Sequence, residues 1–173
     1  MKRYSEFSLG DMLLTYYLDE KNCMSMTLIP ADLQDQVQKK EYYPEPLVQI
    51  HARGDHFANG YGNGHTLAVT SATDALKFVS QGQEGNTIIT TVADETGRTV
   101  HHRVCREDGL QAVIVSCVFE NNGDQPVTLN LLSSVNLSGI TPFTEGDAHG
   151  NLFLHRIRSM WSAEGRVQTE SIE

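Results

Sequence analysis

A pair of carboxylates acting as acid and base must sit on separate elements, about 5–10 Å apart across a pocket. The acidic residues of this 173-residue chain fall mostly in turn sequences: Asp19, Glu20, Asp94, Glu95, Glu107, Asp108 and Asp124. Such residues are solvated. Asp55, in a glycine-rich stretch, and Glu164, beside Trp161, are the acids in more suggestive company. His51, Asp55 and His56 lie close together and His65 follows, but the spacing fits no standard zinc pattern. His101 and His102 are adjacent, so on a strand they project to opposite faces and cannot share an ion. No metal and no other cofactor is expected. With Asp108-Gly109 as a turn centre, Cys105 falls opposite Ala112 and Val100 opposite Cys117. That separates the two thiols and makes both small core residues. Gly60-Tyr61-Gly62-Asn63-Gly64 lacks the Lys-Ser/Thr and the helix of a phosphate cradle, and reads as a surface turn.

The cluster Arg156, Arg158, Trp161, Glu164 and Arg166 is different in kind. An indole offers a flat apolar face to a sugar ring, and Arg and Glu offer directional hydrogen bonds to hydroxyls or to another domain. The alternative is a buried Trp161 with an ion-paired rim.

Strands must position these residues. The segment 12–18 is apolar, 19–22 is turn chemistry and 23–29 alternates, which predicts a hairpin. Residues 30–46 are polar and end in Pro44-Glu45-Pro46, with room for a helical turn or two between Leu33 and Val37. A strand is expected over 47–52, then a Gly/Asn loop over 54–64. Residues 87–92 and 99–105 form a second hairpin about 94–97, and 111–119 pairs next. A long strand is expected over 126–137, with Val127, Leu129, Leu131, Val135 and Leu137 on one face and Leu132 as the exception. For 152–161, strand and helix readings both exist, and the β neighbours favour a strand that places Arg156 and Arg158 on one face and Ile157 and Trp161 on the other. Short strands and turns without a sustained helical stripe mean an all-β antiparallel sandwich. Residues 1–173 are read as a single all-β domain. The end at Ser171-Ile172-Glu173, with no cap, turn or polar tail, suggests a longer parent.

Composition narrows the partners. Thirteen Lys and Arg against 22 Asp and Glu give a charge of −9, spread evenly along the chain, which opposes nucleic-acid binding. No apolar run is long enough for a membrane helix, and Asp11 interrupts the one candidate leader after Met1-Lys2-Arg3. Three cysteines do not make a disulfide framework and point to a reduced, cytoplasmic location.

The run Leu154-His155-Arg156-Ile157-Arg158-Ser159-Met160-Trp161-Ser162-Ala163-Glu164-Gly165-Arg166 resembles the signature in the N-terminal domain of α-galactosidases of glycoside hydrolase family 36. Val118-Phe119-Glu120-Asn121, the stretch from Leu132 to Phe143, Leu47-Val48-Gln49-Ile50 with Gly54-Asp55, and residues 87–101 are similar to the same domain. The resemblance implies part of a galactose-mutarotase-like β-supersandwich preceding a (β/α)8 barrel in a retaining α-galactosidase. Both catalytic Asp residues of that family lie in the barrel, one within a Lys-Trp-Asp-type motif. Here the sole Trp161 is followed by Ser162, so no catalytic residue is carried over. The implied partners are the barrel, the parent enzyme's galactoside and further copies of the chain. Trp161, Arg156, Arg158, Glu164 and Asp55 are the residues expected at a carbohydrate or interdomain contact. A supersandwich cut partway would expose apolar faces and is expected to self-associate or to form a reduced sandwich. Two other readings stand: a self-contained carbohydrate-binding β-sandwich, and a mutarotase-like enzyme drawing its acid from His51, His65, His101 or His155.

Overall fold

The computed structural model describes residues 1–39, 44–56, 70–110, 112–146, 149–159, 161–162 and 164–171. The fold is all-β and antiparallel. A three-stranded sheet runs β1 (Lys2–Leu9), β2 (Met12–Leu18) and β3 (Met24–Pro30), in that order. A four-stranded sheet has the order β5 (Lys77–Glu84), β6 (Thr87–Ala93), β7 (Arg98–Cys105) and β8 (Ile114–Asn121). Short β4 (Ile50–Ala52) pairs with β9 (Leu129–Leu132), and β10 (Phe153–Arg158) pairs with β11 (Arg166–Ser171). A 3-10 helix over Ala31–Gln36 supplies the expected helical turn after β3, and α1 (Ser71–Ala75) precedes β5.

Alternation decides which faces meet. Leu14 and Tyr16 of β2 face the same side as Met24 and Met26 of β3, and all four are buried. Ile88 and Val92 of β6, with Val100 and Val104 of β7, do the same on the four-stranded sheet. These eight side chains share one apolar cluster, completed by Leu47, Val48 and Ile50 ahead of and within β4. Burying each stabilises by about 1.5–3 kcal/mol, so the sandwich is closed by its inner faces.

Polar atoms thread that interior. Ser5 Oγ donates to Gln81 Oε1 at 2.5 Å, and Gln81 Nε2 donates to Thr90 Oγ1 at 2.8 Å. The fully buried Tyr16 faces Thr90 from the opposing sheet, and burial pushes its hydroxyl up to about 12. His102 is fully buried, between Thr90 on β6 and Cys117 on β8. The Ser134 carbonyl approaches the His102 ring without completing a hydrogen bond, and neither ring nitrogen has a partner among the described residues. Burial pushes the imidazole down to about 4.

One end of the sandwich is tied by Arg106. Its guanidinium donates to the Leu9 carbonyl at 2.5 Å, to the Leu110 carbonyl at 3.2 Å, and pairs with Asp11. It lies against Gly10, whose φ of 64° serves the β1–β2 turn and whose missing Cβ leaves room for the guanidinium.

Three expectations need correction. The β7–β8 connection does turn at Asp108-Gly109, where Leu110 N donates to the Glu107 carbonyl at 3.1 Å, but Cys105 pairs with Ile114 and His102 with Cys117, two residues off the expected register. The Arg106 contacts to Leu110 and the β1–β2 turn hold the connection wide, so pairing resumes only at Ile114. The strand expected over 126–137 is only β9. Leu132 faces the core, whereas Leu131 and Val135 are exposed. After Leu132 side chains replace the ladder: Gln49 N donates to Ser133 Oγ at 2.8 Å, and Asn136 Nδ2 to Ser133 Oγ and to the Leu47 carbonyl. Likewise the strand expected over 47–52 is regular only from Ile50.

Two predictions follow from the interior and the clasp. His102 binds its proton less readily folded, at about 4, than unfolded, near 6.5. Its contribution is therefore intact above pH 6.5 and is lost as pH falls toward 4, by about 3 kcal/mol in all. Denaturant unfolding at a series of pH values should show that slope, and His102→Leu should flatten it. Gly10→Ala strains a left-handed φ and drives a methyl into the Arg106 guanidinium, so it should cost about 1–3 kcal/mol. Equal stability of the variant and the parent would contradict the clasp.

Candidate interaction surface

The cluster singled out in the sequence is brought together on one hairpin. Arg156 and Arg158 lie on β10 and Arg166 on β11, while Trp161 and Glu164 lie in the turn between the strands. The register pairs Phe153 with Ser171, His155 with Thr169 and Ile157 with Val167 on one face. Leu154 with Glu170, Arg156 with Gln168 and Arg158 with Arg166 occupy the other. The strand reading of the segment holds over Phe153–Arg158, and Trp161 belongs to the turn.

The charged face carries a hydrogen-bonded ladder. Arg158 Nε donates to Gln168 Oε1 at 2.8 Å, Gln168 Nε2 donates to Glu170 Oε1 at 2.5 Å, and Arg156 pairs with Glu170. Exposed ion pairs of this kind contribute only ~0–1 kcal/mol, but as a ladder they set the ribbon's orientation.

On the opposite face His155 Nδ1 lies 2.8 Å from Thr169 Oγ1. Around that polar pair the same face exposes apolar side chains. Ile157 is 76% exposed, Val167 63% and Phe153 53%. Trp161 is fully exposed, which removes the reading of a buried indole with an ion-paired rim. A two-stranded ribbon alone is marginal in water, and the exposed Phe153, Ile157 and Val167 make this face a candidate interaction surface. Because hydrophobicity in this segment is compatible with a core strand, its exposure was not foreseeable from spacing.

Asp55 stands apart from this cluster, between β4 and α1. Its Oδ1 accepts from the Ser71 hydroxyl, from Ala72 N at 3.0 Å and from His56 N at 3.1 Å. Burial alone would raise its pKa, but these donors together hold the carboxyl below the ordinary range. It thus anchors the start of α1, with its buried Oδ2 making no hydrogen bond among the described residues. His65 and the Gly60–Gly64 stretch lie outside the described residues.

The remaining candidates separate. His101 faces outward, with Nδ1 2.9 Å from Thr91 Oγ1 and Nε2 3.5 Å from Glu120, while His102 faces inward. Burial pushes the Cys117 thiol up to about 11, consistent with a core residue. Among the described residues no group of three His, Cys, Asp or Glu could hold a metal ion. Four clefts formed by described residues, of about 240 to 650 Å³, have no histidine in their walls. No helix among the described residues is long and apolar enough to cross a membrane.

Comparison of the chain with protein-family models, with curated proteins and with solved structures finds no match.

The bare hairpin generates an optical prediction. Trp161 is the only tryptophan, so fluorescence of the isolated chain should be red-shifted, open to aqueous quenchers and almost unchanged on unfolding. A blue-shifted, quencher-protected emission at low concentration would contradict the exposed hairpin.

Proposed function

We propose that this chain is a non-catalytic N-terminal packing and assembly domain of a retaining α-galactosidase, with the β10–β11 hairpin as its contact surface. The observation that carries the reading is the hairpin itself. The Trp161-Ser162-Ala163-Glu164-Gly165-Arg166 run behind the family resemblance coincides with a ribbon that exposes Phe153, Ile157, Val167 and Trp161. An indole and three arginines are the residue types that dominate interface energetics. In this reading the sandwich belongs to a β-supersandwich, and the hairpin packs on the catalytic barrel or on another copy within a homo-oligomer. The galactoside is bound and cleaved by the parent enzyme's barrel. Asp55, bonded at the start of α1 and apart from the hairpin, would belong to a separate interdomain or carbohydrate contact, and the location would be cytoplasmic.

A second reading is a self-contained carbohydrate-binding β-sandwich. It is favoured by the fully exposed Trp161, whose indole face could stack on a sugar, with Arg158 and Glu164 nearby in sequence. The mutarotase-like reading has less support, since no histidine lines the four clefts.

The test uses the gene's whole reading frame. The purified product should hydrolyse an α-galactoside, and Trp161→Ala should weaken assembly by about 2 kcal/mol, roughly thirtyfold, with lower activity. Unchanged kinetics and oligomer size would remove Trp161 from the interface. A reading frame that ends here, with saturable galactoside binding to the chain alone, would favour the second reading.

A further inference from the structure

The two sheets are stitched at one corner, where the β2–β3 turn meets the start of β5. Phe78 N donates to the Asn22 carbonyl at 2.9 Å, and Asn22 Nδ2 donates to the Phe78 carbonyl at 3.1 Å. Adjacent to that clamp, Lys77 Nζ lies 3.2 Å from Cys23 Sγ and donates to the Asp74 carbonyl at 2.5 Å. The backbone of Cys23 is fixed in turn, its N–H donating to Asp19 Oδ1 at 2.7 Å. A thiol and a primary amine on different sheets are thus held in contact. This is the only such pair among the described residues' hydrogen bonds.

The thiol is accessible. Cys23 is half-buried and lines an open cleft of about 290 Å³ with Asp19, Glu45 and Thr73, ample for a peroxide molecule. The cleft leaves the sulfur within reach of a small oxidant, and the amine stands beside the position that oxidation would make electrophilic. Cys117 differs, being on the inner face of its sheet.

We propose that Cys23 and Lys77 form a peroxide-responsive joint, in which peroxide oxidises the thiol and the neighbouring amine captures it as a covalent link between the sheets. In the first step sulfur attacks peroxide, the O–O bond breaks, and Cys23 becomes a sulfenic acid as one water leaves. In the second, Lys77 gives a proton to solvent and its lone pair attacks the sulfenic sulfur. The S–O bond breaks, a second water leaves, and an S–N bond forms. Sulfur loses the two electrons that reduce the peroxide. Proximity favours this route because the amine is already in van der Waals contact with the sulfur. The link joins residues 54 positions apart and restrains the unfolded chain as a disulfide would.

The experiment treats the intact chain with hydrogen peroxide at mildly alkaline pH, followed by intact-mass and peptide analysis. The expected product is lighter by two hydrogens and contains a Cys23–Lys77 cross-linked peptide. It melts at a higher temperature and is returned to the parent by a thiol reductant. Lys77→Arg keeps the cation but lacks the amine nucleophile, so it should give no link. A sulfenic-acid trap should then label its Cys23 about tenfold more than in the parent. Oxidation of parent Cys23 straight to the sulfinic acid without a link would overturn the proposal. So would equal trapping in parent and variant, or oxidation of Cys105 or Cys117 while Cys23 remains a thiol.

Discussion

The burial of Leu14, Tyr16, Met24 and Met26 against Ile88, Val92, Val100 and Val104 is the contact on which the rest of the molecule depends. It fixes the strand faces, because a one-residue slip in β2 or β7 would expose an entire inner row. It also explains the polar thread through the interior. Tyr16, Thr90 and His102 occupy inward positions on β2, β6 and β7, so alternation carries their polar atoms inside with the apolar side chains. His102 must then be neutral in the folded chain, because burying an imidazolium without a partner costs several kcal/mol.

The hairpin obeys the opposite logic. It has the alternation of a sandwich strand, but among the described residues no second sheet covers its apolar side chains. Its order rests on the ladder that joins Arg158 to Gln168, Gln168 to Glu170 and Glu170 to Arg156. These charged-face bonds fix the ribbon without using the apolar face. A fixed ribbon offering an uncovered apolar face loses little freedom on docking, which suits an assembly element.

Legibility from sequence followed the range of the interactions involved. The β2–β3 and β6–β7 hairpins were legible because alternation and turn chemistry are local, and β2, β6 and β7 match the expected segments within a residue or two. The all-β class followed from them. β1, α1 and β5 went unread: Lys2–Leu9 is rich in charged and hydroxyl residues, and Lys77–Glu84 carries Gly82 and three polar positions in its second half. β1 and β5 become strands because β2 and β6 supply a ladder to each. The β7–β8 register failed for a long-range reason, since Arg106 reaches Leu9 and Asp11 nearly a hundred residues away. The candidate surface was legible as a cluster of residue types. Its exposure was not, because periodicity identifies an apolar face but does not say whether anything covers it. Asp55 was legible as an unusual acid, although its bonds to Ser71 and Ala72 lie across a gap of more than a dozen residues.

The central claim is that the two larger sheets are held by their shared core, whereas the hairpin leaves its apolar side chains open to a partner. Amide hydrogen exchange on the isolated chain tests it most directly, because protection reports the local opening free energy of each strand. The account predicts that β6 and β7 amides exchange only by global unfolding. The β10 and β11 amides should exchange orders of magnitude faster, and slow when a partner covers the hairpin. Equal protection of β10–β11 and β6–β7 in the isolated monomer would contradict it.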